Sequence, residues 1–290
     1  MGQAVTSANI TLPSVTEARH RQAHIDNLKV VLVTAVIIAH TTIAWTGIGT
    51  WVFHEPPVRE PLLSILSLSL IGALFGMSLF FLIAGMFTAP SLARKGLRRF
   101  LIDRAIRLGL PMLFFIVFLS PMIEYVDPDN AFWDQGFWAF TLHIWWPPAP
   151  GPTWFLGVLL LFSVVYALAR SVWPARAAGA SPLRIRLLLL VAIAVTLGSY
   201  ALRLVVPLGE ELWRLGLPQA PAWIAGFTLG VLGSERGWYA PIAPRMVVFA
   251  RRAGTAGLVA GIIALASTAF GVEFGRLTGG GTWESFLFAA

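Results

Sequence analysis

The sequence predicts an all-α, polytopic transmembrane helix bundle with about seven complete spans, a truncated eighth and a cytoplasmic N-terminus. Three observations carry that expectation. Of the 290 residues, 57% are hydrophobic and only 12% charged, where a soluble domain carries about 25% charged residues. Several apolar runs approach or exceed the roughly 20 residues that take a helix across a bilayer. Those runs are continuously apolar rather than alternating, which excludes a closed β-barrel, the other spanning solution.

The elements follow in chain order. Residues 1–27 form a polar tail, expected on the cytoplasmic side, with no apolar signal region. Residues 28–290 form one transmembrane domain. Spans are expected at about Leu28–Gly47, Leu62–Phe87, Leu108–Val126, Trp154–Trp173, Leu187–Val206, Ala220–Gly233 and Thr255–Phe270. The run at Ala220–Gly233 is the shortest and is rich in glycine. A last apolar run begins near Trp283 and stops at Ala290. That is too few residues for a crossing, so the chain is expected to lack its final spans.

Charge gives the orientation. With the N-terminus in the cytoplasm, the inner segments collect 17 of the 21 Lys and Arg residues; Arg59, Arg203, Arg214 and Arg276 fall outside. This is the positive-inside pattern. It accounts for the net charge of +7 without nucleic acid, and it places the chain in the inner (plasma) membrane as a multi-pass protein. Arg203, near the outer end of the fifth span, is expected to snorkel to the interface, with acceptor binding as the other reading. The outer loop Asp127–Thr153 carries Trp133, Trp138, Trp145 and Trp146. These rings suit an interfacial belt or a cover over an outward-facing pocket.

Several chemistries are excluded. There is no cysteine, so a Cys nucleophile, a disulfide and a Cys-based metal site are ruled out. No zinc-type HExxH, P-loop or G-x-S-x-G elbow occurs, and no histidine is followed by aspartate at the fifth position. No metal site and no permanently bound cofactor are expected.

Two features remain that carry chemistry. His40 follows Lys29 by eleven residues in the first span, which puts it roughly 16 Å deeper at 1.5 Å per residue, near the bilayer middle. An ionisable residue there marks a functional site by default, and a neutral imidazole acts as a general base on a hydroxyl. The competing reading is a histidine that merely hydrogen-bonds between helices. The second feature is SLARKGLRRFLIDRAIRL, Ser91–Leu108, with Arg94, Lys95, Arg98, Arg99, Arg104 and Arg107. Arg104 and Arg107, three apart, are expected to share a helix face, with Asp103 orienting one of them. Paired guanidinium forks suit a phosphate-rich ligand; a positive-inside stop facing anionic lipid explains the same charges. Together, a basic cytoplasmic mouth and a mid-membrane base fit a polyanionic donor entering from inside, and coenzyme A is such a donor.

At four places, in order, the chain resembles the acyltransferase 3 family of integral membrane acyltransferases. IDNLKVVLVTAVIIAH has the family's basic residue, ten others, then His: Lys29 and His40. FFLIAGMF, Phe80–Phe87, is similar to its FF-[LI]-[SA]-G-[FY] segment. FLIDRAIRLGLP, Phe100–Pro111, resembles its Arg-x-x-Arg run before the third span. PTWFLGVLLLF, Pro152–Phe162, is similar to its WFL segment. The resemblance implies transfer of an acyl group, acetyl or succinyl in type, from cytoplasmic acyl-CoA as co-substrate to a hydroxyl of a glycan or other envelope acceptor. It casts His40 as catalytic and Lys29, Arg104 and Arg107 as donor-binding. It implies about ten spans, and its WFL branch points to polysaccharide modification. Two other classes fit the bare residues: a transporter or flippase of a polar lipid or sugar, and a catalytically inactive membrane scaffold. The first would show internal repeats, and none is visible between the halves.

Overall fold

The structure, a computed structural model, describes residues 15–43, 62–127, 133–143, 149–173, 181–207, 215–238 and 243–269. These residues are helical throughout apart from short connections, with no strand among them. The longer helices are α1 (Val15–Ile43), α2 (Leu62–Arg104), α6 (Trp154–Val172), α7 (Ile185–Arg203), α8 (Ala220–Arg236) and α9 (Pro244–Ala269); α3 (Leu110–Phe114), α4 (Ser120–Tyr125) and α5 (Phe137–His143) are short. Among the described residues, four helical runs are long and apolar enough to cross a membrane: Gly76–Tyr125, Gly151–Val172, Ile185–Arg203 and Pro244–Ile263. Their outward faces are apolar, with Leu110, Phe114, Phe118, Val165 and Leu190 all exposed. A helix that is apolar all round belongs in lipid.

The run Gly76–Tyr125 has 50 residues. As one straight helix it would be about 75 Å long, far beyond a hydrocarbon core of about 30 Å. It is in fact two limbs joined at Gly96, whose φ of 70° and ψ of 165° are non-helical. That corner of backbone space is open essentially to glycine alone. Thr88 and Arg104, each eight residues from Gly96, meet across the break, and Lys95 bonds Asp103 over the same turn. The segment Ser91–Leu108 is therefore the apex of a helical hairpin. Its second limb carries two π-helical turns, Ala105–Gly109 and Phe115–Leu119. Each encloses the carbonyl four residues before a proline, Arg107 before Pro111 and Val117 before Pro121. A proline ring clashes with that carbonyl and lacks the N–H that would bond it; a widened turn absorbs both defects.

Contacts fix the helix directions. α2 and α8 run parallel: a Cβ at Gly226 would meet the Ser78 carbonyl oxygen at 2.4 Å, and one at Gly230 would meet that of Leu82 at 2.1 Å. Gly85 faces the Phe227 carbonyl oxygen from the other side, at 2.3 Å. Gly226 and Gly230, four apart, thus form the small-residue seam by which membrane helices approach closely. α6 also runs parallel to α8, since Trp154 stacks on Trp223, Phe162 on Phe227, and Arg170 bonds Glu235. The second limb of the hairpin runs antiparallel to α6, with Phe115 beside Gly151, Met112 beside Gly157 and Leu160 beside Gly109. Pro221 packs on Gly198, so the start of α8 lies near the end of α7.

The core is aromatic. Phe81, fully buried, touches Phe155, Phe162 and Trp223, and Leu159, Phe227 and Val231 complete the cluster. The short glycine-rich run Ala220–Gly233 is thus the centre of the packing: α8 has 17 residues, and Trp223, Gly226, Phe227, Gly230, Val231 and Gly233 are buried. The expectation for Arg203 is corrected here. It is buried beside Ser199 at the end of α7, 5% exposed, so it does not snorkel. The expected tail 1–14, the run from Trp283, Trp145, Trp146, Arg59, Arg214 and Arg276 lie outside the described residues.

Candidate active site

The parallel set α2, α6 and α8 brings three C-terminal ends to one end of the bundle, together with the hairpin apex. Arg94 to Arg107, Arg170, Glu235 and Arg236 all belong to that end. Lys29 joins them, because its ammonium lies 5.0 Å from the centroid of the Phe87 ring. Lys29 also pairs with Asp26 at 3.1 Å.

His40 lies about 16 Å along α1 from Lys29. It is half-buried, next to buried Ala39. Its Nδ1 is 2.8 Å from the Val36 carbonyl oxygen. A carbonyl only accepts, so Nδ1 carries the proton in that bond, and Nε2 is the basic nitrogen of the neutral ring. The ring is also held in orientation, as a working base requires.

The two candidate arginines behave differently. Arg107 stands out from the bundle, its side chain 73% exposed, and pairs with Asp103 Oδ1 at 2.9 Å. The other carboxylate oxygen of Asp103 takes Lys95 at 2.7 Å. Arg104 turns inward instead. Its Nη2 donates to Thr88 Oγ1 at 3.3 Å, its guanidinium lies 5.2 Å from the centroid of the buried Phe100 ring, and its Nε is buried without a hydrogen-bond partner among the described residues. Asp103 lies at the apex, outside the two apolar limbs. The hydrogen bond from Lys95 holds its carboxyl below the usual carboxylate range, with the Arg107 and Arg104 charges adding and desolvation opposing.

Two groups escaped the sequence reading. Thr88 is fully buried and donates to the Ala84 carbonyl oxygen at 2.7 Å. Glu235 accepts from Tyr166 at 2.7 Å and from Arg170 Nε at 3.0 Å, and the Arg170 fork closes on both its oxygens. Tyr166 and Arg170 are four apart on α6, which was visible in the sequence; their partner lies 65 residues beyond Arg170 and was not. One open cavity, about 550 Å³, runs along α9 past Val248, Arg251, Arg252 and Thr255 and touches none of the predicted site residues.

A helical membrane protein with one strongly cationic end and a half-buried histidine in the last turn of α1 is the class these observations define. A profile for the acyltransferase domain matches residues 22–289, nearly the whole chain. The protein belongs to the acyltransferase 3 family. No curated protein and no solved structure matches it.

Proposed function

We propose that the chain moves an acyl group, acetyl or succinyl in type, from acyl-CoA to a hydroxyl of a glycan or other envelope acceptor. In this reading it is a multi-pass inner-membrane protein with the N-terminus and the cationic end in the cytoplasm. The count of about seven spans belongs to the same reading. Bilayer and acyl-CoA are its partners.

The observation that carries the proposal is Arg104 held at the cationic end beside the α1 contact of Lys29, with His40 farther along α1. Arg104 is a partly buried guanidinium whose fork keeps N–H donors beyond the one given to Thr88. Such a group suits the phosphates of coenzyme A, and Lys29 contacts α2 one residue away, at Phe87. His40 lies about 16 Å along α1 from Lys29, a gap that a pantetheine arm bridges and a side chain does not. The acceptor oxygen attacks the thioester carbonyl while His40 Nε2 takes its proton. The C–S bond then breaks, and the imidazolium returns the proton to the CoA sulfur. Arg107 stays at the outer rim of the donor site, bound to Asp103.

The experiment is transfer from labelled acetyl-CoA in membranes carrying the full chain, with mass spectrometry of the envelope glycans. His40→Ala should insert normally and abolish the added acyl mass. Transfer at the wild-type rate in that variant would remove His40 from the mechanism.

A further inference from the structure

We infer that Thr88 is a positioning residue for Arg104, and that Arg104 rather than Arg107 supplies the anion-binding charge of the site. The inference rests on the donor reading above and assigns a division of labour within it. It starts from the directions of the hydrogen bonds. A threonine hydroxyl has one proton, and Thr88 gives it to the Ala84 carbonyl oxygen at 2.7 Å. Towards Arg104 the hydroxyl is left only as an acceptor, so it takes the Nη2–H at 3.3 Å. Thr88 is fully buried. Phe100, also fully buried, lies under the guanidinium. One edge and one face of Arg104 are therefore fixed by neutral groups on opposite limbs of the hairpin.

The neutrality matters. Asp103 is the only acid between Ser91 and Leu108, and its two oxygens are engaged by Lys95 and Arg107. Both of those cations are locally compensated. Arg104 makes no salt bridge among the described residues; it is aimed by a hydroxyl, keeps its full charge, and has a buried Nε–H without a partner. A guanidinium has five N–H donors in a rigid fork, so a single neutral anchor orients it and leaves the others for phosphate. The shape also explains why the contact spans the hairpin: the bond from Arg104 to Thr88 forms only when the limbs close around Gly96.

The test is a double-mutant cycle on the full chain in lipid nanodiscs, read as the Kd for acetyl-CoA and as the split between KM and kcat. Thr88→Val keeps the shape and removes the hydroxyl; it should weaken acetyl-CoA binding about ten-fold, as loss of a hydrogen bond to a charged group does. Thr88→Ser should restore binding to within about two-fold. Arg104→Gln should lose at least as much as Thr88→Val, and adding Thr88→Val to Arg104→Gln should cost nothing more, because the hydroxyl then has no guanidinium to aim. Arg107→Gln should weaken binding less than Arg104→Gln. If Thr88→Val fails to insert, Thr88→Ala takes its place in the cycle. Additive losses, or wild-type binding in Thr88→Val beside a strong loss in Arg104→Gln, would overturn the positioning role and leave the donor reading standing. Wild-type binding in Arg104→Gln would overturn both.

Discussion

The contact between α2 and α8 gives a sharp prediction. A Cβ at position 230 would sit 2.1 Å from the Leu82 carbonyl oxygen, where ordinary contact begins at 3.4 Å. The obstacle is backbone, which has no rotamer to change, so the two helices must part by about 1 Å. That loosens the seam made by Gly85, Gly226 and Gly230 and the aromatic cluster beside it. Overpacking of a tight interior costs about 3 kcal/mol at its upper range. In a domain of this size that corresponds to a fall in Tm of about 5 °C. Gly257→Ala is the matched control: nothing lies within 4 Å of its Cβ, and replacing a helical glycine by alanine stabilises by about 0.5–1 kcal/mol. The assay is thermal unfolding of the purified full chain in one detergent, followed by tryptophan fluorescence. Gly230→Ala and Gly257→Ala melting together, at or above wild type, would refute the close parallel packing.

Further outcomes follow from the polar groups. Glu235→Gln should destabilise by about 2 kcal/mol, because the Arg170 fork loses a charged partner in a half-buried site; Tyr166→Phe should cost about 1 kcal/mol, both read from the same melts. Gly96→Ala meets no atom within 4 Å, so its cost, about 1–3 kcal/mol, is that of the backbone conformation alone. The Asp103 carboxyl is held low by Lys95, so its contribution stays whole above the ordinary carboxylate range and fades only as pH falls through its lowered value. Protection of amides around Gly96, corrected for intrinsic exchange, should therefore stay flat from about pH 5 to 8 and drop in Asp103→Asn.

The sequence disclosed what hydropathy and charge encode. It marked the apolar limbs of the hairpin, the helices α6, α7 and α9, the cationic segment and His40, because burial in lipid demands long apolar runs and leaves the exceptions conspicuous. It ranked Ala220–Gly233 last among the spans, since a short glycine-rich run looks weak on any transfer scale. Those same glycines admit the α2 backbone, a property that depends on the partner helix and not on the run itself. The spacing of Arg104 and Arg107 suggested one shared face. A π-helical turn starts at the residue after Arg104, and Asp103 draws Arg107 outward, so three residues of separation no longer mean what they mean in a regular helix. Thr88 carried no signal, because a threonine in an apolar run ordinarily bonds its own helix. It does so here as well, and only the folded hairpin adds the second bond.

Ser91–Leu108 had two readings: a positive-inside stop, or a grip on a phosphate-rich ligand. They describe different residues of the same segment. Arg94, Arg98 and Arg99 are exposed and have what an interface with anionic lipid requires, a solvated charge and nothing more. Arg107 and Lys95 brace the hairpin through Asp103. Neither account covers Arg104. Desolvating a guanidinium is costly unless something compensates the charge, and the groups around it are an aromatic face and a hydroxyl that has spent its proton. A charge placed only to set topology would stay in water, as its neighbours do. The burial of Arg104 without a salt bridge among the described residues is thus the feature of this segment that a membrane anchor leaves unexplained and that an anionic donor would complete.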